Sequence, residues 1–121
     1  MSPVPRIGID LVAVQSVIST LSRHGDRSVE RVYTADEVQN CTVAGRVSAE
    51  RLARTFAAKE AAAKALGGSS GAWSWRDVEV DGTRMHLHGA AAAIAEAAGI
   101  SRLEVSTSSA QGCALAVVRA S

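Results

Sequence analysis

RTFAAKEAAAKALGG, residues 54–68, is the stretch on which the reading of this 121-residue chain turns. Beyond Arg54 it carries three charges, Lys59, Glu60 and Lys64, on an otherwise apolar and alanine-rich background. Glu60 and Lys64 are four apart, so a helix stacks them one turn apart on one face. Ala57, Ala58, Ala61, Ala62, Ala63 and Ala65 form helix readily and take little room, so another segment or a ligand can come close. Gly67 and Gly68 end the helix. Alone, the stretch reads more simply as a surface helix with an ordinary Glu–Lys pair, worth about 0.2–0.5 kcal/mol. The rest of the chain decides between the two.

Apolar residues make up 47% of the sequence and charged residues 21%, which excludes a disordered chain and fits one domain over residues 1–121. Aromatics are only 3%, so the core must be built from Val, Ile, Leu and Ala. Such a core gives modest stability, to which subunit contacts can add. A net charge of +1 makes no electrostatic case for nucleic acid. No stretch approaches a membrane span and the first residues lack the pattern of a signal peptide, so the expected compartment is the cytoplasm. Cys41 and Cys113 show neither metal nor disulfide spacing and read as small buried thiols.

Outward from the central helix, RIGIDLV (residues 6–12) alternates: Ile7, Ile9 and Leu11 point one way, Gly8, Asp10 and Val12 the other. Asp10 is either a strand-end residue that caps the next helix or a carboxylate held rigidly by a sheet, as a metal ligand is best placed. Residues 14–23 read as a helix, 24–28 as a polar loop, and Thr34 with Glu37 as a capping box that starts a short helix. A loop around Gly45 leads to Ser48, the expected cap of the long helix. GGSSGA (residues 67–72) either merely connects or presents backbone N–H groups to phosphate, and it lacks the spacing of a nucleotide loop. Residues 73–80 alternate as a strand, Asp81-Gly82 signals a hairpin, and residues 84–88 return as a strand on which His86 and His88 share a face as solvated side chains. A helix over 90–98 and strands over 103–107 and 114–118, joined by a turn through 108–112, complete an α+β domain with antiparallel hairpins and a long central helix.

Together these motifs resemble the small 4′-phosphopantetheinyl transferases of the holo-acyl-carrier-protein synthase type. GIDLV (residues 8–12) is similar to that family's opening strand, RVYTADEVQNC (31–41) to its R-[IV]-[FYL]-T-x-x-E segment, and FAAKEAAAKALG (56–67) to its signature helix. WSWRDVEV (73–80) and the segment ending in LHG (87–89) resemble its later hairpin. The resemblance implies transfer of phosphopantetheine from coenzyme A to a serine of an apo acyl carrier protein in fatty acid or polyketide-type biosynthesis, with release of adenosine 3′,5′-bisphosphate. It implies magnesium held by Asp10 and Glu60, catalytic roles for Asp10, Glu60 and Lys64, and coenzyme A contacts from Lys64, Gly67, Gly68, Ser69, Ser108 and Ser109. It also implies a homotrimer with coenzyme A between subunits.

The chain departs from that pattern at Ala13 and Ser16, where the family carries a glutamate and an arginine, and at Ser109, where it carries a histidine. Thr55 stands where a basic residue commonly precedes the aromatic, with Arg54 one place earlier, about 100° around a helix. Arg23, Arg27 and Arg31 are the basic residues available to hold an acidic carrier. The departures leave a second class of function open: a scaffold that binds carrier protein or coenzyme A without transfer. A plain structural subunit leaves the motif spacing unexplained.

Overall fold

The protein is described from a computed structural model over residues 5–67 and 72–121. Ser48 accepts the Arg51 amide on its hydroxyl and starts α4, Ala49–Ala65, the helix on which the other elements are arranged. Its end is the expected one: Leu66 caps it, and Gly67 turns away at φ 118°, a conformation glycine adopts without strain. Leu52, Ala53, Ala57, Ala58, Ala61, Ala62 and Ala65 are buried along its length.

The sheet beneath α4 has five antiparallel strands in the order β1 (Arg6–Ala13), β7 (Cys113–Ala120), β6 (Leu103–Ala110), β5 (Arg84–Leu87) and β4 (Val78–Asp81). The first strand thus pairs with the last, Asp10 opposite Ala116, and Ala116 in turn lies opposite Thr107. α1 (Val14–His24), α2 (Asp26–Val32) and α3 (Ala35–Asn40) lie between β1 and α4 in sequence, and α5 (Gly89–Ala97) links β5 to β6. The core is aliphatic, as the composition requires: Val12, Val78, Met85, Ile100, Leu103, Val105 and Val118 pack with the alanines of α4 and α5. A smaller cluster of Tyr33, Cys41 and Leu52 joins α1, α2 and α3 to α4, with Leu21, Val29 and Val32 packed on it.

The alternation in β1 is as expected, but the buried face is the one carrying Gly8, Asp10 and Val12. A Cβ on Gly8 would lie 1.8 Å from the Ala61 carbonyl oxygen, so only glycine lets β1 and α4 approach this closely. Ile7, Ile9 and Leu11 stay 55%, 55% and 64% exposed on the outer face, where Leu11 lies opposite the exposed Leu115. That outer face is graded. It is apolar at Ile7, Ile9 and Leu11 on β1 and at Leu115 and Val117 on β7, which ends in the exposed Arg119; it carries the exposed Ser106 and Ser108 on β6, and becomes charged at Arg84, His86, Glu79 and Asp81 on the β4–β5 hairpin.

Several local expectations need correction. Residues 24–28 are not a loop: α1 runs to His24, Gly25 turns at φ 56°, and α2 follows at once because Val29 and Val32 have a cluster to pack against. Residues 42–47 form a small hairpin, β2 (Thr42–Val43) with β3 (Arg46–Val47), turning at Ala44 and Gly45 with φ 51° and 77°. The strand expected over 73–80 exists only from Val78. Ser74 and Asp77 close a capping box around a 3-10 turn, Trp75–Asp77, which places the half-buried Trp75 ring edge-on to Phe56 at 5.5 Å between centroids. β6 and β7 extend to Ala110 and from Cys113, so Ser108 and Ser109 lie in a strand and not in the turn. The Thr34–Glu37 capping box forms as expected. His86 and His88 are exposed, 3.1 Å from Asp81 and Glu79 respectively. Both cysteines are free, Cys41 buried and Cys113 half-buried, and burial pushes the Cys41 thiol up.

Candidate active site

Asp10 sits on the helix-facing side of β1, two residues from the glycine that lets α4 come close. Glu60 and Lys64 lie one turn apart on the adjoining flank of α4, and the three side chains meet there. Lys64 Nζ donates to Asp10 Oδ1 at 2.7 Å and to the Ile9 carbonyl at 3.0 Å. The Asp10 side chain is only 10% exposed, whereas that of Lys64 is 56% exposed, so the carboxylate is held from below and the ammonium faces solvent. Glu60 is half-buried beside Asp10. Burial first, and then the Asp10 carboxylate, push its carboxyl up to about 7, against the pull of Lys64. The hydrogen bond to Asp10 holds the Lys64 ammonium above the ordinary lysine range. Two carboxylates pressed together, one retaining its proton to neutral pH, form a site for a positive charge.

The other residues singled out in the sequence are more dispersed. Gly67 follows the end of α4, one turn beyond Lys64. Gly68 and Ser69 lie outside the described residues. Ser108 and Ser109, adjacent in β6, fall on opposite faces. Ser108 is on the open outer face, opposite Leu115, and Ser109 faces α4, two strands across from Val12. There Ser109 Oγ donates to Glu50, which also takes Arg54 Nη1 at 3.1 Å, while Arg54 Nε reaches Thr107 Oγ1 at 3.2 Å. Ser109 and then Arg54 hold the Glu50 carboxyl below its usual range. Arg51, Arg54, Thr55 and Thr107 line a cavity of about 320 Å³ beside this cluster. A cavity of about 750 Å³ between α5 and β5 holds none of Asp10, Glu60 or Lys64. The carboxylate cluster is instead an open junction between strand and helix.

Sequence reasoning missed the role of Lys59. Its Nζ is enclosed, 2.7 Å from Glu37 Oε1, and donates to the carbonyls of Val78 and Trp75 at 2.7 and 3.0 Å. Burial pulls its ammonium below the ordinary lysine range, against the stabilising Glu37 carboxylate. The available signal was a lysine on the same helical face as buried alanines.

Known proteins resemble this chain over nearly its whole length. The model of the 4′-phosphopantetheinyl transferase superfamily matches residues 6–117. The holo-[acyl-carrier-protein] synthase of Koribacter versatilis is 41% identical over 117 residues, covering 92% of this chain and 93% of the relative. That of Halorhodospira halophila is 42% identical over 118 residues, covering 93% of each. The crystal structure of holo-[acyl-carrier-protein] synthase from Neisseria meningitidis superposes with a TM-score of 0.82 at 34% identity, covering 96% of this chain and 97% of that one. The Helicobacter pylori enzyme in complex with coenzyme A superposes at 0.82 with 27% identity, covering 95% and 99%. The chain belongs to the 4′-phosphopantetheinyl transferase superfamily.

Proposed function

We propose that this protein is a holo-[acyl-carrier-protein] synthase, a single transferase domain over residues 1–121, which moves 4′-phosphopantetheine from coenzyme A to a serine of an apo acyl carrier protein. The observation that carries this reading is the meeting of Asp10, Glu60 and Lys64 at the β1–α4 junction of a chain that matches the synthases over nearly its whole length. The donor set fits magnesium. Among the described residues no cluster of three or more His, Cys, Asp or Glu side chains is placed for a metal, so Asp10 and Glu60 would supply only two carboxylates. That is the sparse protein shell of a cation that keeps waters and phosphate oxygens. Burial and then the Asp10 carboxylate raise the Glu60 carboxyl, and a divalent cation between the two would offset both effects. Bound there, magnesium would neutralise charge on the diphosphate.

The chain's own residues then divide the work. The serine oxygen attacks the phosphorus that bears the pantetheine arm; a new P–O bond forms, the diphosphate P–O bond breaks, and adenosine 3′,5′-bisphosphate leaves. Glu60, which would be ionised beside a bound cation, accepts the serine proton through a water. Lys64, anchored on Asp10 yet facing solvent, donates to the departing phosphate. Asp10 orients Lys64. Gly67, with Gly68 and Ser69 next to it in sequence, would contact the phosphates, and Ser108 and Ser109, on the two faces of β6, would contact coenzyme A from this subunit and a neighbouring one.

The open junction and the bare apolar stripe of Ile7, Ile9, Leu11 and Leu115 support a homotrimer in which a neighbouring subunit completes the coenzyme A site. The exposed Arg23, Arg27 and Arg31 on α1 and α2 offer positive charge to an acidic carrier protein. No helix among the described residues is long and apolar enough to cross a membrane, and we place the enzyme in the cytoplasm, in fatty acid or polyketide-type biosynthesis. The test is direct. Incubation with coenzyme A, magnesium and a panel of apo carrier proteins should add a phosphopantetheine mass to at least one carrier, and Glu60→Gln should abolish that gain. An unchanged mass across the panel would overturn the assignment.

A further inference from the structure

Lys59 takes no part in the chemistry above, yet it and Glu37 are the buried charged residues among those described. Its bonds to Glu37, Val78 and Trp75 use all three ammonium protons. Glu37 is held as fully, since Oε1 also accepts the Thr34 amide at 2.9 Å and Oε2 accepts the Val80 amide at 2.8 Å. The pair therefore ties α4 to the start of α3, to the 3-10 turn and to β4. Elsewhere the polar ties of α4 to the sheet lie on its partly exposed flanks, Glu50 and Arg54 to Ser109 and Thr107 on β6 and Lys64 to Asp10 and Ile9 on β1, while the face between them is apolar. Ala61 and Ala65 lie against Gly8, with Ala57, Ala114 and Ala116 in the same cluster. An interface of methyl groups has shallow ridges and resists rotation of the helix weakly.

Glu60 is the next residue on the same helix. A 20° turn of α4 would swing a carboxylate about 6 Å from the axis through about 2 Å. Reactive groups need to be held to about 0.5 Å. We propose that Lys59 is a positioning residue: clamped by Glu37 and by the Val78 and Trp75 carbonyls, it fixes the rotation of α4 and so sets the spacing of Glu60 from Asp10 on which cation binding depends. Fixing register is the best-attested use of a buried ion pair. The inference rests on Asp10 and Glu60 being the cation ligands.

Mn²⁺ binding, followed by electron paramagnetic resonance on the intact protein, reads the spacing without turnover. Lys59→Met alone leaves Glu37 charged and unpaired, so the informative variant is Lys59→Met with Glu37→Gln, which removes both charges at similar volume. It should fold, raise the Mn²⁺ dissociation constant at least tenfold and lower kcat at least tenfold, with KM for the carrier protein unchanged. Leu103→Ala, a core truncation on β6 outside the hub, should lower Tm while leaving Mn²⁺ affinity as it was. Thr34→Ala, which keeps both charges but removes the hydroxyl that accepts the Glu37 amide and donates to Glu79, should weaken Mn²⁺ binding two- to fivefold. Wild-type affinity in the folded double variant overturns the proposal, as does an equal loss in Leu103→Ala. Should the double variant not fold, unchanged affinity in Thr34→Ala does the same. A wild-type protein that neither binds Mn²⁺ nor transfers phosphopantetheine marks a different failure, that of the ligand assignment, and the positioning role falls with it.

Discussion

Replacing Glu60 with glutamine should stabilise the metal-free protein at pH 8 and leave it unchanged at about pH 3.5. Burial and Asp10 raise the Glu60 carboxyl from 4.5 to about 7 in the folded state. Below 4.5 the group is protonated whether the chain is folded or not, and it exerts no penalty. Between 4.5 and about 7 the unfolded chain ionises while the folded one holds its proton, so folding stability falls as pH rises; above about 7 the deficit is constant. At about 1.4 kcal/mol per pKa unit the deficit is at most about 3.5 kcal/mol. Glu60 is half-exposed, and solvent screening brings a realistic figure to about 1 kcal/mol. For a domain of this size that is roughly 3–6 °C in Tm. Glutamine carries no charge and can still donate an amide proton to Asp10. Scanning calorimetry in a chelator should therefore show Glu60→Gln melting about 4 °C above the wild type at pH 8 and level with it at about pH 3.5. Millimolar magnesium should reverse the order at pH 8, because only the wild type gains a ligand. An equal gain at both pH values, or none at pH 8, would refute the claim that these carboxylates are crowded.

The remaining expectations use simpler readouts. Gly8→Ala drives a methyl to 1.8 Å from the Ala61 carbonyl, a clash with backbone that costs about 3 kcal/mol or more, so its Tm should fall by more than about 10 °C. A near-normal Tm would mean that β1 and α4 are not in close contact. Lys64→Ala should lower kcat about 100-fold while moving Tm by less than about 2 °C, since the side chain is solvent-facing. Comparable losses in Tm would make Lys64 structural. Lys59→Met alone should destabilise by about 3–5 kcal/mol, with more than half recovered when Glu37→Gln is added, as chemical denaturation would show. On the proposed assembly, the wild type should sediment as a trimer and Leu11→Asp as a monomer in analytical ultracentrifugation, with little change in circular dichroism.

What the sequence conveyed depended on the range of the interaction. The Thr34–Glu37 capping box and the Ser48 cap are written within four residues, and both form as read. The remaining bonds of Glu37 go to Lys59 and Val80, and no spacing rule reaches that far. In β1 the period of two was plain, yet alternation does not say which face is inward. The glycine-bearing face won because only there could α4 approach, and three large aliphatics were left outside. The short helix α2 was passed over because Gly25 and four charged residues broke the pattern; Val29 and Val32, three apart, were the usable trace. Residues 73–77 alternate like a strand, but Ser74 and Asp77 have the spacing of a cap and took that role. Ser108 and Ser109, one position apart, are necessarily opposed once both lie in β6. The meeting of Asp10 with Glu60 and Lys64 was expected from resemblance, and its cause, the narrow gap at Gly8, became visible only in three dimensions.

The pairing of β1 with β7 alone has a consequence for biogenesis. A nascent chain exposes its aliphatic opening segment from the start, but that segment has no strand to join until nearly the whole sequence has emerged from the ribosome. Maturation is thus a late, all-at-once event dominated by distant contacts, which is slow. A polypeptide cut short before Cys113 would present an unpaired greasy ribbon to chaperones and proteases, so premature termination anywhere along the gene should yield no persisting fragment.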